Sequence, residues 1–371
     1  MIFLLSNMEM LFFSMVAAVT IVGCLIGAVE PHLPAFITQS FRYGKHSLKD
    51  RRNHLVARLE VPKSSFRHFY VFALVWSTMA LYLVLRTTVA GKPAPEALVT
   101  FLDFLCGMRR TEKNRRNHLV ARLEVPKSSF RHFYVFALVW STMALYLVLR
   151  TTVAGKPAPE ALVTFLDFLC GMRRTEKSTS LETLLATFCL FLQCCRRFWE
   201  THFLQIFSRT SRINITHYLV GYIHYFGAFV AILGHSQGFV TVAGNAVITP
   251  DHLSWRILLS GAVFLYAWWH QWRSNVILAR LRMDASGKVV TEKHLMPTGG
   301  YFEVVSSPHM MFECLMYISL ILILRGNIAW LFVTAWVVAN QAQVAHLTHA
   351  WYLETFPNYP KTRRALIPFV F

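Results

Sequence analysis

Eight apolar runs punctuate this chain, several of them long enough to cross a bilayer. A crossing helix needs about 20 mostly apolar residues. The runs lie at roughly Leu11 to Val29, Phe69 to Leu85, Phe133 to Leu149, Leu184 to Cys195, His217 to Leu233, Ile257 to Trp269, Met310 to Leu324 and Ile328 to Ala345. None shows the period-2 alternation of a barrel strand. Hydrophobic residues make up 55% of the 371 and charged residues 15%, against a charged share of about 25% in soluble domains. The expected fold class is therefore all-α, a polytopic membrane helical bundle.

Two of the runs are the same run. Residues Arg51 to Lys113 recur letter for letter at Arg115 to Lys177, 63 positions without a substitution. Each copy holds one full apolar run and a shorter stretch, Ala97 to Cys106 in the first. At about ten residues that stretch is too short to cross and is expected to lie at the interface. The expectation is seven spans plus one duplicated span, with only one copy packed into the bundle. One added span would reverse the orientation of everything after it. The divisions are 1–50 (first span and basic loop), 51–113 and 115–177 (the copies), 178–269 (further spans) and 270–371 (the polar C-terminal region).

The formal net charge is +18. It lies between the apolar runs, as in "GKHSLKDRRNHLVARLEVPK" and "YPKTRR", and no soluble domain carries it. That argues against nucleic acid and for the excess of Lys and Arg on cytoplasmic loops. The basic and neutral loops alternate so that the C-terminus falls in the cytosol. The seven cysteines lie mostly in apolar runs without CxxC spacing and read as small core residues.

Chemistry-bearing side chains gather from His270 onward. Gln271, Asn275 and Arg282 are spaced i, i+4, i+11, one face of a helix. Amides and a guanidinium on one face suit a phosphate or a ribose, and equally a juxtamembrane helix contacting lipid headgroups. His309 and Glu313 open a later span, and an ionisable residue there points to function by default. His346 and His349 have the spacing of a metal pair but no carboxylate or thiol completes a ligand set, so no metal is expected. No G-x-G-x-x-G follows a strand and no GxxxxGK[ST] occurs.

These residues carry a resemblance. "HQWRSNVILARLR", "GGYFEVVSSPH" and "NYPKTRRALIPFVF" resemble the C-terminal domain of the steroid 5α-reductase family, most closely its polyprenol reductase branch. "EVPKSSFRHFY" resembles the same branch near its second span. The resemblance implies a seven-span enzyme of the endoplasmic reticulum membrane that binds NADPH in a cytosol-facing cavity. Its substrate would be a long-chain polyisoprenoid, whose α-isoprene double bond is reduced toward dolichol for protein N-glycosylation. The family's cofactor contacts would fall on Arg197, Gln271, Asn275, Arg282, His309, Glu313 and Tyr352. An acidic residue near the reacting carbonyl would be Glu60, with Glu124 its duplicate. Three positions depart from the family pattern: Cys194 stands where the steroid branch has a carbonyl-polarising tyrosine, Leu295 where a basic residue is usual, and His309 where Asn is usual.

Chemistry adds one expectation. An isolated alkene accepts hydride poorly, whereas conjugation to a carbonyl makes the β-carbon electrophilic. The reducible species should therefore be the enal, with an acid, Glu60 or Glu124, hydrogen-bonding the developing enolate oxygen. The rivals are a 3-oxo-5α-steroid 4-dehydrogenase or other enone reductase of the family, and a polytopic transporter. A transporter would favour inverted repeats, and this repeat is direct.

Overall fold

The computed structural model describes residues 6–29, 124–207, 212–241, 246, 248–249 and 252–371. The chain divides into two compact units, one of Met1–Leu48 with Pro126–Phe371, the other Lys49–Val125. The first copy of the repeat, with Glu60, lies outside the described residues, and so does the side chain of Glu124.

The described residues form eight α-helices and two three-residue strands. In chain order they are α1 (Asn7–Val29), β1 (Glu124–Pro126), α2 (Phe130–Thr152), α3 (Glu160–Cys170), α4 (Ser180–Trp199), β2 (Arg212–Asn214), α5 (Ile215–Leu233), α6 (Trp255–Arg280), α7 (Pro308–Ile323) and α8 (Ile328–Thr355). Each apolar run that falls on described residues is a helix. The second copy of the repeat supplies α2 and α3, and α2 packs against α4 and α5. The short stretch that follows it becomes α3, at 11 residues about 16 Å long.

Local chemistry sets several boundaries. Thr179 and Glu182 form a capping box at the start of α4, the Glu182 carboxylate accepting from Thr179 N at 2.9 Å. Pro308 begins α7, where its missing N–H costs nothing. Between α7 and α8 the chain reverses in Arg325-Gly326-Asn327. Gly326 takes a left-handed φ of 82°, and Asn327 accepts from Trp330 N at 3.0 Å. The Asn327 amide also donates to Ala231 O at 2.8 Å, tying the start of α8 to the end of α5.

Neighbour relations close a circuit of six helices: α4 on α2, α2 on α5, α5 on α8, α8 on α7, α7 on α6, and α6 and α7 back on α4. α1 lies against α8 and α3. The polar groups turn inward. Gln193, Glu200, Ser260 and Thr187 are fully buried. Outward faces are apolar at helical spacing, with Val135, Val139 and Tyr146 exposed on α2 and Leu258, Leu265 and Trp269 on α6. Such faces suit hydrocarbon.

Seven of the eight helices have 16 residues or more. Among the described residues only Lys127–Thr152 and Ile328–Thr355 are by themselves long and apolar enough to cross a membrane; Asn7–Ile21, His217–Leu233 and Pro308–Ile323 are shorter apolar stretches. The other two long helices carry charge. α4 carries Glu182, Arg196 and Arg197, and α6 carries Arg256, Arg273 and Arg280. The seven-span count therefore does not follow from length and hydropathy helix by helix.

The described cysteines are apolar filling. Cys170, Cys189, Cys194 and Cys314 are buried and free, and Cys195 is half-buried and free.

Candidate active site

The helix circuit encloses a cavity of about 460 Å³. All seven side chains that the resemblance assigned to the cofactor line it: Arg197, Gln271, Asn275, Arg282, His309, Glu313 and Tyr352. They arrive from four helices and one turn, and packing alone brings them together.

Gln271 stands at the centre of the polar wall. Its amide nitrogen donates to His309 O at 2.9 Å and to the Glu313 carboxylate. Its oxygen accepts from Gln193 Nε2 at 2.9 Å and from Arg196. Gln193 also donates to Glu313 Oε2 at 2.9 Å. Glu313 is therefore held by two amide groups, and Gln271 acts as a brace for it.

A second cluster surrounds Glu200, in the π-turn Glu200–Leu204 that ends α4. Its Oε2 accepts from Arg197 Nη1 at 2.5 Å and from Asn275 Nδ2 at 2.9 Å. Arg196 Nε pairs with its Oε1 at 3.4 Å. Such π-turns often mark functional sites. Arg197 also donates to the Tyr134 hydroxyl, from Nη2 at 2.8 Å and Nε at 3.2 Å.

Arg282 does not share the helical face of Gln271 and Asn275. α6 stops at Arg280 because "MDASGK" turns the chain. The Asp284 carboxylate accepts from Ser286 N at 2.9 Å and Lys288 N at 3.0 Å, and Gly287 takes a φ of 82°. Those bonds hold the Asp284 carboxyl below its usual range, the Ser286 hydroxyl contributing most. From this turn Arg282 still reaches the cavity, donating to Ile206 O at 2.5 Å and meeting His294 Nδ1 at 2.8 Å. Burial draws its guanidinium below the ordinary arginine value. Lys127 lines the same cavity.

The tail closes this region. Arg363 donates to Pro297 O and to Glu303 Oε2, both at 2.9 Å. Glu303 lies below its usual range because Gly299 N and then Arg363 donate to it. Ser306 meets Tyr359 at 2.6 Å and His349 Nδ1 at 2.7 Å. The conspicuous "GGYFEVVSSPH" and "YPKTRR" motifs thus hold the wall in place.

Comparison with known proteins gives the lineage. A family profile described as 3-oxo-5-alpha-steroid 4-dehydrogenase matches residues 213–371. The polyprenal reductase of Drosophila melanogaster is 39% identical over 98% of this chain and 93% of its own length. The chain belongs to the steroid 5α-reductase family. The polyprenal reductase of Xenopus tropicalis is 33% identical over 81% of this chain and 99% of its own length. That of Homo sapiens is 32% identical over 67% and 78%.

Two departures from the steroid 5α-reductase pattern become concrete. Cys194 is fully buried, so no phenol reaches the cavity from that position. Leu295 lines the cavity beside His294. Sequence reasoning missed Tyr134, Gln193, Arg196 and Glu200. A signal for three of them existed: an Arg-Arg pair with Gln three residues before and Glu three after, inside an apolar run.

Proposed function

We propose that the chain is an NADPH-dependent reductase of the α-isoprene double bond of a polyprenal, acting toward dolichol in support of protein N-glycosylation. It would sit in the endoplasmic reticulum membrane as a seven-span bundle, with its C-terminus cytosolic and the second copy of the repeat supplying the working helix. One observation carries the reading: a single cavity joins a wall of amides, carboxylate and guanidinium to an apolar wall. Val19 of α1 and Trp336, Val337, Val344 and Leu347 of α8 furnish the apolar side. A polyisoprenoid aldehyde needs both, since its tail stays in hydrocarbon while its head meets a water-soluble cofactor.

The residues present fit a dinucleotide. Arg282, Lys127 and His294 gather at one end, where guanidinium and ammonium would face phosphate. Asn275, His309, Glu313 and Tyr352 would hold ribose and amide groups, with Arg197 and Gln271 keeping them in register. Bound there, the nicotinamide supplies a hydride. The chain's part is to orient the enal, exclude water and stabilise the oxygen as negative charge develops. Glu60 or Glu124 is proposed as the neutral acid at that oxygen.

Arg282→Ala tests the cofactor assignment without substrate. Loss of a charged hydrogen bond is worth about 1.5–3 kcal/mol, so NADPH should bind roughly 10- to 150-fold more weakly, while polyprenal affinity holds. Titration of NADPH fluorescence in nanodiscs measures this directly. Equal affinities for the two proteins would remove Arg282 from the cofactor site.

A further inference from the structure

The steroid branch's tyrosine is absent at Cys194, yet a phenol stands against the neighbouring arginine from another helix. Tyr134, on α2, lines the cavity together with Arg197. The Arg197 guanidinium carbon lies 4.9 Å from the Tyr134 ring centroid. Its Nη2 and Nε both donate to the phenol oxygen, at 2.8 and 3.2 Å. A phenol oxygen has two lone pairs and one proton. Arg197 occupies the lone pairs, and among the described residues no acceptor takes the proton. Arg197 itself is fixed by Glu200 at 2.5 Å. A phenol held this way by a cation can do one thing with hydrogen bonding, which is to give its proton away into the cavity.

From this geometry, and resting on the reading that the chain reduces an enal, we infer that Tyr134 is the proton donor of the reduction. Hydride addition at the β-carbon moves the alkene electron pair between the α-carbon and the carbonyl carbon, leaving an enolate. The Tyr134 O–H bond then breaks. Its proton forms a bond to the α-carbon, and the electron pair stays on the phenol oxygen. The Arg197 guanidinium faces that charge, and a proton from solvent restores the phenol. The sum is enal, NADPH and one proton giving saturated aldehyde and NADP+. The first copy carries the same phenol at Tyr70.

Tyr134→Phe in the full chain removes only the hydroxyl. A positioned general acid contributes about 10²–10⁴-fold, so kcat should fall by at least about 100-fold, with NADPH affinity and KM for polyprenal unchanged. Tyr70→Phe, the same change in the first copy, should leave kcat as it was. If Tyr134→Phe also loses NADPH binding, 3-fluorotyrosine at position 134 decides, since it keeps the shape and both bonds from Arg197. Its more acidic phenol should move the alkaline limb of the kcat profile to lower pH, and an unmoved limb overturns the assignment. A wild-type chain that reduces polyprenal beside a fully active Tyr134→Phe overturns it alone. So does loss on Tyr70→Phe with none on Tyr134→Phe. A wild-type chain that binds NADPH but leaves polyprenal unreduced overturns the functional reading and this inference together.

Discussion

Replacing Glu200 by leucine should cost about 3–5 kcal/mol of stability, the usual result of removing one partner from a buried ion pair. Glu200 is fully buried and answers Arg196, Arg197 and Asn275 at once. Leucine has a similar volume, so packing loss is small and the electrostatic loss dominates. Two guanidiniums would be left in the interior without this carboxylate. Folded domains are stable by only about 5–15 kcal/mol, so thermal unfolding in detergent should occur far earlier. Cofactor binding should fall with it, because Arg197 and Asn275 lose their common anchor. Glu200→Gln keeps the shape and an acceptor for Asn275, and should lie between wild type and leucine. A leucine variant with an unchanged melting curve would show that the cluster is not held by charge.

Arg174→Ala should produce a loss of similar size on the other side of the bundle. The Arg174 side chain is fully buried. It donates to Asp167 Oδ1 at 2.8 Å, Gly234 O at 3.0 Å, Phe239 O at 2.8 Å and Val163 O at 3.1 Å. One guanidinium therefore joins α3, the end of α5 and the loop after it. Alanine would leave those carbonyls and a carboxylate without their donor, each with its own desolvation cost; with the broken ion pair the total is about 3–5 kcal/mol. Arg174→Lys should recover only part, because an ammonium cannot reproduce the planar fork. The check is thermal unfolding of the purified protein together with proteolysis of the 234–241 loop. If alanine leaves both unchanged, the latch is not structural.

Much of this arrangement is legible in the sequence. Each apolar run that falls on described residues is a helix, because a backbone that leaves water must satisfy its own hydrogen bonds. The i, i+4 pair Gln271 and Asn275 faces the cavity as its spacing implied. The spacing places Arg282 on the same helix, but Asp284, Ser286 and Gly287 end that helix before it. The rest was hidden for a physical reason. Gln193, Arg196 and Glu200 leave a local trace around the Arg-Arg pair, but Tyr134 gains its place only when α2 and α4 meet, and no local pattern records that meeting. Tyr134 in particular reads as one more aromatic residue in an apolar run. The family resemblance reached Arg197, His309, Glu313 and Tyr352, which spacing alone did not join.

The decisive measurement offers purified chain in nanodiscs polyprenal and polyprenol separately, with NADPH deuterated at the transferring carbon, and reads the products by mass spectrometry. Polyprenal should be consumed and its saturated product should carry one deuterium, placed on the β-carbon of the former α-isoprene unit, while pure polyprenol stays unreduced. Faster reduction of the alcohol, or a saturated product without deuterium, would contradict an enal reductase that takes its hydride from NADPH.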